Sequence, residues 1–182
     1  MSENLVPSPD PLGTDDKIAS VMLYFPKAIF WGEVAIRKQF RPSTWLTTNA
    51  VPDIIHLYHP KAIFETSSPN PKPSQLHELM IMNGMILACH LVPPNFDPVD
   101  YDPNEVNMQM CSVDAFFGSY QFSGKLRIST KQSLLTYLEI THVTYLCMYE
   151  VTIQNTFMPS LGLMKVPFAL VRKEGTLLNL VK

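Results

Sequence analysis

Histidine and cysteine are the residue types in this chain best suited to metal binding, and their spacing argues against a local metal site. His56 and His59 have a spacing that seeds metal sites on helices, but they fall in a predicted strand and its exit. Residues three apart in a strand point to opposite faces, so we expect two separate structural or solvent-exposed imidazoles. Cys89 and His90 are adjacent and also face opposite sides. The sequence leaves open whether these side chains cluster across neighbouring strands.

Nucleophilic and acid–base catalysis find equally little support in the sequence. Cys89 and Cys147 lie in apolar runs, where a thiol is usually a small buried hydrophobe, and Cys111 has no activating basic neighbour. The predicted body has no paired carboxylates for acid–base work, and no phosphate-binding, serine hydrolase or zinc protease motif occurs. We therefore predict a protein that is not an enzyme and that has no cofactor and no small-molecule ligand.

Acidic residues are concentrated in the proline-rich stretch 93–105, at a density that raises the question of calcium binding. An EF-hand loop needs a glycine at its sixth position, and this stretch contains no glycine. We interpret it as a flexible linker, because it lacks the apolar surface needed to offset the entropy lost on ordering. The acidic residues are Asp97, Asp100, Asp102 and Glu105.

An internal repeat organises the rest of the chain. With an offset of 92 residues, segment 30–46 aligns with segment 122–138, and Trp45 then faces Tyr137. After a slip of one residue, 54–58 aligns with 145–149, and we match the later apolar run 85–91 with 166–171. The identical pairs in the first alignment are Phe30/Phe122, Gly32/Gly124, Ile36/Ile128, Thr44/Thr136 and Leu46/Leu138.

Each repeat begins with the pattern of a bent β-hairpin. Apolar residues alternate with period two around Gly32 and Gly124, which predicts strands. A glycine in mid-strand permits sharp bending or the close approach of a second backbone. An apolar run precedes each of these strands, and the links Pro26-Lys27 and Gly118-Ser119 suit tight hairpins.

The remaining segments predict short strands and little helix. Ser43 or Thr44 is placed to cap a single helical turn that brings Trp45 and Leu46 onto the strands. Asn83-Gly84 predicts a hairpin between two apolar runs, and no segment keeps a 3.6-residue period over three turns. The predicted fold class is mainly β: two similar small β-barrel units in tandem, either separate or packed as one body, with at most short helical turns.

In strand order, each half resembles the small bacterial Sm-like β-barrel domains of uncharacterised function. The resemblance is carried by the glycine-centred strands, by the segment Arg41-Pro42-Ser43-Thr44-Trp45-Leu46, by strands ending at Tyr58 or Tyr149, and by the apolar segments 168–171 and 177–180. It covers most of the chain outside the acidic segments, although the second half lacks the Arg and the Ser-Thr pair of the first. The resemblance implies two Sm-like barrels in tandem and implies no known reaction.

Charge and composition agree with a division into two halves. The formal net charge of −2 arises because the acidic segments 1–16 and 93–105 offset an excess of positive charge in each half. We predict an acidic tail at 1–16, a first barrel at 17–92, an acidic proline-rich linker at 93–111 and a second barrel at 112–182. No apolar run approaches the ~20 residues of a membrane span. With three cysteines at unpaired spacing and no secretory leader pattern, we expect a cytoplasmic protein.

Two functional hypotheses follow. The favoured one is a protein-interaction or assembly module with a protein partner or self-association, because small barrels expose edge strands; the methionine-rich segment 79–86 is one candidate surface, and a core hairpin is its simpler explanation. The alternative is RNA binding through basic strand faces with aromatic stacking, and ordinary solvated strand faces explain the same charges more simply. The candidate interaction residues are Arg37, Lys38, Arg41, Lys125, Arg127, Lys131, Trp45 and Tyr137.

Overall fold

A computed structural model describes residues 13–66 and 70–181, so most of the predicted tail 1–16 lies outside the described residues. The described chain is mainly β, with one short α-helix. Its elements are β1 (Asp16–Phe25), β2 (Ala28–Arg37), β3 (Ile54–Phe64), β4 (Ser74–Gln75), β5 (Glu78–Met82), β6 (Ala88–Leu91), β7 (Met108–Phe117), β8 (Tyr120–Ser129), α1 (Leu134–Ile140), β9 (Tyr145–Asn155), β10 (Met164–Arg172) and β11 (Leu177–Leu180).

All eleven strands belong to one open antiparallel sheet, in the order β11-β7-β8-β9-β10-β6-β1-β2-β3-β4, with β5 also pairing with β3. The two halves use the same order: β6-β1-β2-β3-β5 in the first half and β11-β7-β8-β9-β10 in the second. Pairing between β6 and β10 connects them. The mainly β class is therefore confirmed, and the halves are joined in one continuous sheet.

The predicted hairpin at the start of each half and the two glycine bends are confirmed. Pro26-Lys27 and Gly118-Ser119 form two-residue links, with Phe25 paired to Ala28 and Phe117 paired to Tyr120. The β2–β3 register shifts between Trp31 and Glu33, and the β8–β9 register shifts between Ser123 and Lys125, so each irregularity falls on the repeated glycine. Apolar residues at every second position predicted these strands, because successive side chains point to opposite faces of a strand.

Opposite each glycine, the partner strand bends at a residue in the left-handed backbone region. These residues are His59, with φ 48°, and Glu150, with φ 52°, each directly after the tyrosine that ends the aligned segment. His59 Nδ1 lies 3.2 Å from Glu33 Oε2, and Lys125 Nζ lies 2.5 Å from Glu150 Oε2. The two halves therefore place a contact between an acidic and a basic side chain at the same bend, with the positions of acid and base exchanged.

The helical turns differ between the halves. Residues 45–47 form a single 3-10 turn as predicted, and Trp45 and Leu46 are buried, but Thr44 makes no side-chain capping bond. In the second half the turn extends to the seven-residue helix α1, where the Ser133 hydroxyl accepts a hydrogen bond from the Thr136 N–H. A side-chain cap stabilises the first turn of a helix, and the second half alone has this cap.

One predicted hairpin and one predicted correspondence between the two halves are wrong. Asn83-Gly84 forms a 3-10 turn rather than a hairpin, because β5 pairs with β3 while β6 pairs with β1 and β10. The run 85–91 also does not correspond to 166–171. β6 lies beside β1 as β11 lies beside β7, so β6 corresponds to β11, and β5 corresponds to β10. Both runs are apolar for the different reason that β6 and β10 are central strands.

Two hydrophobic clusters lie on opposite sides of the central strands, and each draws side chains from both halves. Val21 and Leu23 enter one cluster, whereas Met22 and Tyr24 of the same strand enter the other, which consists mainly of second-half residues. In return, Leu170 of β10 enters the first cluster. Burial of both faces explains why β1 is apolar at every position from 21 to 25, and it packs the two halves against each other.

Candidate interaction surfaces

The basic residues of the first half lie at and beyond the end of β2. Arg37 and Lys38 are exposed, and the Lys38 ammonium donates to the Thr14 carbonyl at 2.6 Å. Arg41 is half-buried and donates through Nη2 to the carbonyl of Pro98 in the acidic segment. Of these three side chains, Arg41 is thus engaged by the linker, and Arg37 and Lys38 remain on the surface.

The basic residues of the second half are engaged in a similar way. Lys125 contacts Glu150, and Arg127 pairs with Glu105 of the acidic segment. The Arg127 guanidinium also lies 4.8 Å from the ring centre of Tyr101. Lys131 is exposed in the turn before α1. Two of these three cations therefore have acidic partners within the chain.

The two basic clusters do not occupy equivalent positions. The hairpin registers make residue 28 equivalent to residue 120, which places Lys125 at the position of Glu33. By the same register, Arg37 is equivalent to Ser129. The two basic clusters therefore lie at different positions of the hairpin in the two halves, so the fold does not repeat a basic face.

Trp45 and Tyr137 each pack against a hydrophobic cluster, Trp45 in the first half and Tyr137 in the second. Trp45 is only 4% exposed and lies in the first-half cluster, and Tyr137 packs half-buried against the second-half cluster. Burial raises the pKa of Tyr137 above its ordinary value. Neither ring is presented as an open stacking platform.

The acidic segment 93–107, which its composition predicts to be a flexible linker, contacts both halves of the sheet. The Asp97 carboxylate accepts a hydrogen bond from the Ser43 N–H at 2.8 Å, and the Tyr149 hydroxyl donates to Asp100 at 2.9 Å. Tyr101 packs edge-on against Tyr149, with ring centres 5.0 Å apart. The predicted linker 93–111 also ends early, because its last four residues, 108–111, belong to β7. Ordering is supplied by contacts with distant residues rather than by the segment's own apolar surface.

The histidines and cysteines are dispersed over the sheet. His56 lies against Glu78 of β5 and His59 against Glu33 of β2, so the two imidazoles have different neighbours. Within residues 13–66 and 70–181, no group of three or more His, Cys, Asp or Glu residues is arranged to hold a metal ion. All three cysteines are unpaired. Burial raises the pKa of Cys89 to about 12 and that of Cys147 to about 11, which disfavours the reactive thiolate.

An open cleft of about 540 Å³ lies where the two halves meet. Its wall includes Arg172, whose guanidinium donates to the carbonyl oxygens of Asn83 and Ile86 and to the Tyr145 hydroxyl, each at 2.8 Å. The guanidinium also lies 4.9 Å from the ring centre of Tyr145. These hydrogen bonds hold the turn 83–86 of the first half against the second half, so Arg172 stabilises the contact between the halves.

The strands at the two ends of the sheet each have one side that no other described strand covers. Among the described strands, β5 pairs only with β3, and β11 pairs only with β7. Apolar side chains stand exposed on both: Met80 is 69% exposed on β5 and Leu177 is 74% exposed on β11. The methionine-rich segment singled out in the sequence includes the first edge. The second edge was missed, because an apolar strand does not reveal from its sequence whether it is central or terminal.

Comparison with known proteins finds no matching family model, no matching curated protein and no matching solved structure. Among the described residues, no helix is long and apolar enough to cross a membrane. Function therefore has to be argued from the surfaces of this chain alone.

Proposed function

We propose that this protein is a non-enzymatic assembly module that binds protein through the open strand edges β5 and β11. One observation carries the proposal: both edges combine unpaired backbone groups with large exposed apolar side chains, Met80 and Leu177. An edge strand normally carries charges, prolines or bulges that prevent pairing with another chain. Apart from Glu78 at the start of β5, neither edge strand contains a charged residue or a proline, so these edges are suited to accept a further strand.

We further propose that each half is a small barrel of the Sm-like kind. The shared five-strand order, the bend at Gly32 or Gly124 and the short helical turn support this proposal. Three unpaired thiols, two of them with raised pKa, support a place in the reducing cytoplasm and a structural role for the cysteines.

RNA binding is the weaker proposal. Its support is reduced to the exposed Arg37, Lys38 and Lys131, because Arg41 and Arg127 contact the acidic segment and Lys125 contacts Glu150. Effective binding of a nucleic acid backbone needs several cations that are available to phosphate.

The test of the assembly proposal is affinity purification of the tagged chain from its native host with quantitative mass spectrometry. We expect the wild-type chain to retain one or more proteins, further copies of itself included, and the double variant Met80→Lys/Leu177→Lys to lose them. Leu135→Lys is the matched control, since Leu135 is 67% exposed on α1, which belongs to neither edge strand. A wild-type chain that retains nothing, or partners that survive the double variant, would contradict the proposal.

A further inference from the structure

The acidic segment 93–107 follows β6, the strand that pairs with β10 at the junction between the two halves. The segment forms neither helix nor strand. Six residues contact it or line the cavity of about 20 Å³ beneath it, and together they form a groove: Arg41 and Ser43 of the first half, and Arg127, Tyr149, Pro167 and Phe168 of the second. The chain therefore holds an acidic, proline-containing peptide in a groove that both halves build.

The first-half side of the groove binds one carboxylate and one backbone carbonyl of this peptide. The Ser43 N–H donates to the Asp97 carboxylate at 2.8 Å. The Arg41 guanidinium donates through Nη2 to the carbonyl oxygen of Pro98, the next residue. Every peptide has backbone carbonyls, so the Arg41 contact suits acidic peptides other than the one that the groove holds.

The second-half side of the groove binds a second carboxylate and an aromatic ring. The Tyr149 hydroxyl donates to Asp100 at 2.9 Å, and burial together with this hydrogen bond raises the pKa of Tyr149, so the hydroxyl stays protonated. Tyr101 packs edge-on against Tyr149, and the Arg127 guanidinium lies 4.8 Å from the ring centre of Tyr101. Arg127 also pairs with Glu105. The groove thus recognises an acid, a second acid three residues later, and an aromatic ring beside the second acid.

The acidic segment uses this groove incompletely. Its large apolar side chains face solvent, since Phe96 is 67%, Val99 is 59% and Val106 is 85% exposed. The Nε atom of Arg41 is buried and has no hydrogen-bond partner within the described residues. Arg41 meets only the neutral carbonyl of Pro98, whereas a carboxylate could accept from Nε and Nη2 together. The segment is therefore held by polar contacts and leaves part of a guanidinium unused.

We propose that this groove is a binding site for an acidic peptide of a partner protein, and that the chain's own segment 93–107 is the occupant that the partner displaces. The partner peptide places one carboxylate on the Ser43 N–H, a second on the Tyr149 hydroxyl and an aromatic ring beside Arg127. A further carboxylate on Arg41 gives it an advantage that the acidic segment lacks. The site shares no residue with the strand edges β5 and β11, so this inference goes beyond the proposed function.

The chemistry of the groove favours a peptide over a nucleic acid. Only two of its six residues, Arg41 and Arg127, are cations, and a nucleic acid backbone needs several. Its other donors, the Ser43 N–H and the Tyr149 hydroxyl, are neutral groups that bind single carboxylates. A tethered segment acts at an effective concentration on the millimolar scale, so a free peptide binds well only when it contacts the groove better or when the segment is weakened.

The test is fluorescence anisotropy with a labelled synthetic peptide that has the sequence of residues 94–106, titrated with the purified full chain. We expect weak binding to the wild-type chain and binding about tenfold tighter to the release variant Asp100→Ala/Glu105→Gln, because the tethered competitor loses two of its contacts. Asp102→Asn/Glu139→Gln is the matched control. It removes the same two charges, but Asp102 bonds only to a neighbouring N–H in the described chain and Glu139 is exposed on α1. The control should bind the peptide as the wild-type chain does.

The groove itself is tested in the release variant. Added Arg127→Gln should weaken peptide binding about tenfold, because it removes the partner of both the aromatic ring and the last carboxylate. Added Lys61→Gln, which removes one positive charge from an exposed position of β3, should leave binding unchanged. If the release variant folds poorly, Glu105→Gln alone frees Arg127 and should give a smaller gain in peptide affinity over the wild-type chain.

Four outcomes would overturn the inference. Peptide affinity that does not differ between the release variant and its control means that the segment does not compete for the groove. Binding that survives Arg127→Gln lies at another surface. A release variant that binds a labelled uridine oligonucleotide in preference to the peptide has a nucleic acid site. Equally tight binding of a peptide with the sequence of residues 4–16, the other acidic proline-rich sequence of this chain, would make the tail the occupant in place of a partner protein.

Discussion

A Cβ atom added to Gly32 would lie 2.5 Å from the carbonyl oxygen of Tyr58. The same relationship recurs in the second half, where a Cβ on Gly124 would lie 2.9 Å from the Tyr149 carbonyl oxygen. In both halves the second strand therefore touches the backbone of the third at the point where the register shifts. Glycine is required there because no side chain fits between the two strands.

We predict that Gly32→Ala lowers the free energy of unfolding by about 3 kcal/mol, because the new methyl group collides with backbone that cannot move aside. Gly124→Ala should cost less, about 1–2 kcal/mol, since its closest contact is longer. Urea unfolding measures both effects. Gly84→Ala is the control: nothing lies within 4 Å of its Cβ position, so we expect no loss and a gain of up to about 1 kcal/mol. Equal effects at all three glycines would refute the close-contact explanation.

The buried pair Tyr24–His90 should make the protein sensitive to acid. His90 Nδ1 lies 2.7 Å from the Leu91 carbonyl oxygen, so this nitrogen carries the proton and Nε2 accepts from the Tyr24 hydroxyl at 2.9 Å. Burial lowers the pKa of His90 from 6.5 to about 4. Between these two pKa values the unfolded chain therefore binds a proton at His90 and the folded chain does not. The contribution of His90 to the free energy of unfolding is present above pH 6.5 and is lost as the pH falls toward 4.

The expected loss attributable to His90 is about 3 kcal/mol between these two pH values. It is measured from urea unfolding at a series of pH values. His90→Gln, which cannot titrate, should show a correspondingly smaller slope over this range, whatever its stability at neutral pH. If the slope of the variant equals that of the wild type, the titration of His90 does not contribute.

Removal of the Asp97 carboxylate should release the acidic segment. The Asp97 carboxylate accepts a hydrogen bond from the backbone N–H of Ser43, a residue that is only 5% exposed. A buried donor left without an acceptor costs about 1–3 kcal/mol. We therefore expect Asp97→Ala to destabilise the chain by this amount and to speed proteolysis within residues 93–107. Asp97→Asn keeps an acceptor oxygen and should be milder. Asp102→Ala should have little effect, because that carboxylate bonds only to the neighbouring Asn104 N–H in the described chain.

Arg172 should be essential to the junction in a way that lysine cannot replace. Its guanidinium holds two carbonyls and one hydroxyl at fixed angles, and a lysine ammonium cannot reach all three. We expect Arg172→Lys to cost about 1–3 kcal/mol in urea unfolding and to increase hydrogen exchange in residues 83–86. Arg37→Lys, at an exposed position, should change stability by no more than about 0.5 kcal/mol. Unchanged exchange at 83–86 in Arg172→Lys would show that the turn is held by other contacts.

Weak retention on heparin is the expected result for the wild-type chain, because Arg41, Lys125 and Arg127 are held by contacts within the molecule and few of the candidate cations are left for phosphate-like groups. Glu105→Gln should increase retention by freeing Arg127. Asp102→Asn changes the net charge equally without freeing an arginine, and so it controls for charge alone. Strong retention of the wild type that is lost at modest salt would instead favour RNA binding.

Local features of the fold could be predicted from the sequence, because they depend on neighbouring residues. Period-two alternation and turn chemistry identified the hairpins at Pro26-Lys27 and Gly118-Ser119, and the repeat identified Gly32 and Gly124 as points of close approach. Each of these depends on contacts between strands adjacent in sequence, where a short stretch of chain contains most of the information.

Tertiary structure decided which strands became neighbours and which remained open. Asn83-Gly84 is a strong local hairpin signal, yet β6 pairs with β1 and β10 because those partners bury both of its faces. The acidic segment is ordered by Ser43, Tyr149 and Arg127, all more than 20 residues away. By itself the sequence determined the two hairpins and the bends at Gly32 and Gly124. Only the fold decided that β6 and β10 pair at the centre of the sheet while β5 and β11 lie at its ends. Strand pairing across the sheet depends on contacts that no local sequence pattern encodes.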